Sequence, residues 1–250
     1  MNTNELANFV DSVNTLIEGK LILVDKHIAS VLQCVATSQI LRNALSETLK
    51  TMTYSTEFSR ARVAWTRSDG VVEARLKLPA DRNRLFAFVV CLLTEVDSGR
   101  RNILDFLKEY YNEPDNDLSY SRFANEVLKP FKSAGEHILS SVDPDSVNVQ
   151  YVEQEEKFFK AEKIYIDTRV LNKLFSEMDA IRRILDGQKL SEGERFEVSA
   201  ATEYFVNALY LKNPKILAVA YLAYKNTVAR YQVTVKHVQV IVQLLSSIAM

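Results

Sequence analysis

Residues 60–79 read RARVAWTRSDGVVEARLKLP and interrupt a chain otherwise patterned for helix. Asp69-Gly70 suits the centre of a two-residue hairpin turn, because such turns need a backbone that Asp and Gly tolerate. With that turn in place, Ser68 faces Val71, Trp65 faces Ala74, Val63 faces Leu76 and Ala61 faces Leu78. The face carrying Trp65, Val63 and Ala61 is apolar except for Arg67, which meets Val72 at its end. The other face pairs Thr66 with Glu73, Ala64 with Arg75 and Arg62 with Lys77. A slip of one residue would set Trp65 against Glu73 and mix the two faces. Two strands alone are marginal. The Trp65 face is therefore expected to pack on helices, or the hairpin to gain a strand from a symmetric partner.

On the N-terminal side, Thr3 or Asn4 can cap a helix whose stripe is Leu6, Phe9, Val10, Val13, Leu16 and Ile17, stopped by Gly19. A second helix is expected from about Asp25 to Met52. On the C-terminal side, Asp81 opens a helix to about Val96 that is apolar all round at its centre, so it should be buried on every side. Further helices are expected over 101–111 and 119–141, the latter kinked by Pro130. The stretch 140–148, SSVDPDSVN, is polar, aperiodic and contains a proline, as a linker does. It divides the chain into a helical domain with a hairpin, 1–142, and a helical domain, 150–250, unless it is a surface loop within one continuous domain. Beyond it, 151–163 is ambiguous. Asp167 or Thr168 caps a helix that Gly187 stops, Ser191 and Glu194 form a capping box, and Asn213-Pro214 restarts the chain. The valine-rich end could be strand by composition, but the spacing of Val235, Val238, Val242 and Leu245 favours helix. No internal repeat of fixed period is found. The fold class read from these patterns is mainly α, a multi-helix bundle with one inserted β-hairpin.

Of 250 residues, 47% are hydrophobic and 25% charged, with a formal net charge of −1, so no global charge directs the chain to nucleic acid or to an acidic partner. Six Gly and five Pro leave little material for a sheet-rich fold or a phosphate-cradling loop. The longest apolar run, 85–93, is too short to cross a bilayer. No signal peptide is read at the N-terminus, and a cytoplasmic location is expected. Cys34 and Cys91 lie in apolar helical stretches and are read as buried free thiols rather than a disulfide.

Motif searches for nucleotide-binding loops, nucleophile elbows and zinc sites return nothing, and His27, His137 and His237 are scattered. Asp115, Asp117, Ser119 and Glu126 occupy positions 1, 3, 5 and 12 of a calcium loop, but Tyr120 stands where that loop needs glycine. Acids at a helix start explain them as well. No catalytic residue, cofactor or metal is therefore assigned. Two basic features remain. Between Glu57 and Arg84 there are seven basic and four acidic residues, with Arg60, Arg62, Arg75 and Lys77 on or beside the polar hairpin face. After Glu203 the chain has no acid, and Lys225 and Arg230 sit among tyrosines on which bases could stack. These six form a candidate nucleic-acid surface. Trp65, Val238, Val242 and Leu245 form a candidate protein interface, the last three on an apolar terminal helix face.

The function expected from the sequence is a non-enzymatic helical interaction or scaffold protein, partnered by another protein or by itself as a homodimer. The alternative is a nucleic-acid-binding protein using the basic hairpin and the C-terminal segment.

Overall fold

The computed structural model describes residues 3–66, 72–141 and 152–249. The protein is mainly α, with one two-stranded antiparallel hairpin. It divides into two compact units, Met1–Val142 and Asp143–Met250, and the division falls in the polar proline-bearing stretch.

Unit 1 is built around α5 (Arg82–Asp97), which Asp81 caps through its carboxylate to the Arg84 backbone N–H. Every residue from Phe86 to Val90 is buried, as its all-round apolar sequence requires. Around it pack α2 (Val24–Thr37), α3 (Gln39–Leu49), α4 (Tyr54–Ala61) and α8 (Lys129–Ser141), while α1 (Thr3–Glu18) lies on α2 and α8. Phe9, Phe86 and Phe131 meet at the centre, with Phe86 stacked on Phe131 at 5.3 Å between ring centroids. Gly135 makes room for this cluster: a Cβ there would stand 2.3 Å from the Phe9 ring.

The expected continuous helix over 25–52 is two helices meeting at 90°. Ser38 breaks it with extended backbone, accepts from the Leu41 N–H as the cap of α3, and donates to Glu5 Oε2 at 2.6 Å. A serine offers the backbone this alternative to helix, and it outweighed an otherwise unbroken apolar stripe. The helix expected over 119–141 is likewise divided. α7 (Asn116–Phe123) passes through a π turn, Ala124–Leu128, into α8. The wider turn lies just before Pro130, whose ring cannot donate to the preceding turn. α6 (Ile103–Tyr110) precedes α7.

The hairpin forms, but in the other register. β1 (Arg62–Thr66) pairs with β2 (Val72–Leu76) so that Trp65 faces Glu73, Ala64 faces Ala74 and Val63 faces Arg75. Pairing Thr66 with Val72 leaves an odd number of connecting residues, which a two-residue turn centred on Asp69-Gly70 cannot supply. Residues 67–71 themselves lie outside the described residues. The expected separation into apolar and polar faces assumed burial of the Trp65 face, yet Trp65 is 39% exposed. With no buried face to defend, patterning specifies register weakly. A Trp–Arg contact takes its place: the Arg75 guanidinium carbon lies 3.4 Å from the centre of the Trp65 ring.

Unit 2 contains α9 (Val152–Phe159), α10 (Thr168–Asp186), α11 (Glu192–Leu211), α12 (Pro214–Val228) and α13 (Val235–Ile248). α11 and α12 form its closest pair, and α13 packs between α9 and α10. Caps lie where the residues place them: Asp167 on α10, the Ser191–Glu194 capping box on α11, and Asn213 before Pro214 on α12. The valine-rich end is helical. Among the described residues, no single helix is long and apolar enough to cross a membrane.

Candidate functional site

The first candidate surface is the hairpin. β2 lies beside α6, and Arg62 reaches Glu109 of α6 at 2.8 Å. β1 is the open side, exposed at every position but Val63. Its hydrogen-bonding direction can be assigned. The Lys77 N–H donates to the Ala61 carbonyl at 2.8 Å. Antiparallel pairs alternate between bonded and non-bonded, so positions 61, 63 and 65 turn their backbone groups toward β2. Arg62, Ala64 and Thr66 turn theirs outward, where no third strand lies among the described residues.

The second is an open groove of about 870 Å³ in unit 1, where α2, α5, α6 and α7 converge. Ile22, Val24, Val96, Ile103 and Leu104 give it an apolar lining. Asp25, Asp97, Asp115 and Asp117 make its polar part acidic, and among the described residues Arg101 is its one cationic lining residue. That cation is already held. Arg101 meets Glu95 Oε2 at 2.7 Å and covers the Phe58 ring at 4.4 Å, while the Tyr54 hydroxyl donates to the same carboxylate oxygen at 3.0 Å. Burial, with the Glu95 charge beside it, holds the Tyr54 phenol well above its ordinary range.

The calcium-like set dissolves into helix-start chemistry. Asp115 accepts from the Asp117 N–H as the cap of α7, the Ser119 hydroxyl donates to the Asp115 carbonyl, and Glu126 pairs with Arg122. Among the described residues no group of three or more His, Cys, Asp or Glu could hold a metal ion. A smaller pocket of about 350 Å³ in unit 2 lies between α10 and α11, lined by Arg182, Arg195, Ser199 and Glu203 among others. Cys34 and Cys91 are half-buried thiols outside any disulfide, and desolvation raises the Cys34 thiol to about 11.

The candidate nucleic-acid residues divide between the two units. Arg60 pairs with Glu57, Arg62 with Glu109, and Arg75 lies on Trp65, so acids or an aromatic ring already engage the hairpin cations; Lys77 is exposed. The Arg230 side chain is only 9% exposed and pairs with Glu197 at 2.9 Å. It belongs to unit 2, as does the half-buried Lys225. In the proposed interface, Val238 and Leu245 are buried against the chain's own helices and Val242 is half-buried. The terminal helix docks within unit 2, covering much of the stripe offered as an interface. Trp65 remains exposed.

Reading by motif missed the groove, because it forms from four helix ends far apart in sequence. The one local signal was the Asp115–Asp117 pair, legible as acid clustering but not as part of an apolar cleft. No protein-family model, no curated protein and no solved structure matches the chain.

Proposed function

We propose that the protein is a helical interaction protein that associates through the open edge of β1, with a second copy of the chain as its first candidate partner. One observation carries the reading: a strand exposed at every position but Val63, turning the backbone groups of Arg62, Ala64 and Thr66 outward beside a half-exposed tryptophan. Unpaired edges of this kind accept another strand, and native proteins ordinarily blunt them with charge or proline. β1 carries one charge, Arg62, and that side chain is drawn to Glu109.

Light scattering on protein cleared of nucleic acid tests this, with absorbance at 260 and 280 nm recorded before and after clearing. A defined dimer that Ala64→Pro converts to monomer supports the reading. Proline at that position removes an outward donor and leaves the β2 ladder intact. Ala64→Lys, a charge on the same edge, is expected to act likewise. A monomer at high concentration removes edge-to-edge self-association. A monomer that carries nucleic acid and releases it in high salt replaces the reading with nucleic-acid binding.

A further inference from the structure

The open edge of β1 also limits how a second copy can sit on it. The strand is five residues long with Ala64 at its middle, and an antiparallel neighbour bonds only through the outward positions 62, 64 and 66. The first of these is partly spent. The Arg62 N–H donates to the Phe58 carbonyl and closes α4, so Arg62 offers its carbonyl alone. A two-fold axis centred on Ala64 overlaps the whole strand with its copy. Ala64 then exchanges both bonds with the partner's Ala64, and the Thr66 N–H reaches the partner's Arg62 carbonyl, the group that α4 leaves open. An axis at Val63 sets Ala64 against Arg62, whose N–H is committed, and Thr66 against Arg60 of α4. An axis at Trp65 carries Arg62 and Val63 past Thr66, the end of the partner's strand.

The side chains favour the same centre. On one face it sets Trp65 opposite the partner's Val63 in a non-bonded pair, where side chains lie closest. Aromatic and β-branched residues make favourable cross-strand pairs. On the other face the one charge of the strand, Arg62, meets Thr66 rather than its own copy, so no like charges are opposed. We propose that two copies of the chain pair β1 with β1 about a two-fold axis through Ala64. The two hairpins then form one sheet in the order β2–β1–β1–β2, closed by symmetry against further growth. The partner supplies its Val63 to a tryptophan that its own chain leaves 39% exposed, with Arg75 over the ring. This rests on association through the β1 edge and adds to it the symmetry, the register and the residue that each copy contributes to the other.

Cysteine substitutions along β1, one per chain, test the register in a glutathione buffer, with the fold of each variant checked by circular dichroism. Bonded antiparallel partners stand about 5.5 Å apart at Cα, within disulfide reach. Ala64→Cys is expected to link two chains at least about tenfold faster than Asp179→Cys, an exposed site in unit 2, because pairing raises the effective concentration. Arg62→Cys and Thr66→Cys are expected to link when mixed and not alone. The native chain, whose Cys34 and Cys91 are half-buried, serves as the blank. Trp65 is the one tryptophan of the chain, so its emission should move to the blue as protein concentration rises, and Val63→Ser should reduce that shift. A dimer that links through Val63→Cys or Trp65→Cys alone would overturn the register and leave edge association standing. A dimer that links at no β1 position would overturn both, as would a monomer at high concentration.

Discussion

Glu95 in unit 1 and Glu197 in unit 2 each hold an arginine inside a helical unit, but the neighbourhoods differ. Glu95 receives Arg101 at 2.7 Å and the Tyr54 hydroxyl at 3.0 Å, with Arg100 at 3.9 Å, and the face of Arg101 lies over Phe58. Glu197 receives Nη2 of Arg230 at 2.9 Å, yet Nε and Nη1 of that guanidinium find no partner among the described residues. Burying charge is costly unless the remaining hydrogen-bonding capacity is met. The first cluster ties α4, α5 and the start of α6 together through one carboxylate. The second fixes the end of α12 against α11 while leaving donors unmet. The comparison separates an ion pair that organises its surroundings from one that chiefly specifies a geometry.

The largest test removes the shared acceptor. Glu95→Ala leaves Arg101 and Tyr54 facing each other without it, and unit 1 is expected to lose about 3 kcal/mol, read from urea unfolding followed by Trp65 fluorescence. Paired apolar replacement should then give opposite signs. Glu95→Leu with Arg101→Met is expected to destabilise by about 2 kcal/mol, because Tyr54 loses its acceptor. Glu197→Leu with Arg230→Met is expected to be neutral or to stabilise by about 1 kcal/mol, because it also removes unmet donors. Equal signs in the two units would end the distinction. Tyr54→Phe should cost about 1 kcal/mol, a single hydrogen bond within the richer cluster.

The smallest effect is in pH. Hydrogen bonds from Ser191 hold the Glu194 carboxyl below its ordinary 4.5, with Tyr231 and Arg230 adding to them. A carboxyl depressed in the folded state contributes stability that is present above its unfolded value and lost as pH falls through the folded one. The stability gap between the native chain and Ser191→Ala should therefore be constant above about pH 5 and narrow below it, measured by thermal unfolding across that range.

Much of the helical layout was legible because caps and periodicity are local. Asp81, Asp167, Ser191 and Asn213 each bond the backbone N–H groups that their positions suggested. Ser38 shows the limit. Its hydroxyl could cap a helix or ride along inside one, and the choice turns on Glu5, thirty-three residues away. The hairpin's existence was legible and its register was not, because the pattern was read as if one face were buried, while Trp65 instead meets Arg75. Whether the terminal stripe of Val238 and Leu245 was covered stayed open, because sequence carries no record of α9 and α10 lying over it. The groove was least legible, since its acids matter only once Asp25, Asp97 and Asp117 come to one place.

The packing of α1 on α8 sets a timetable for synthesis. Phe9 rests edge-on against Phe131 at 5.6 Å, Lys132 donates to Asn14 at 3.0 Å, and the Tyr120 hydroxyl donates to the Leu16 carbonyl. α1 leaves the ribosome before α8 and must wait for it before its apolar stripe is covered. Until then Phe9, Val13 and Leu16 can shelter only against α2. Contacts of such long sequence separation slow folding and leave apolar surface open to chaperones or to other nascent chains. Fusing α1 to the end of unit 1 by circular permutation would shorten that wait and should raise the folding rate without adding a contact.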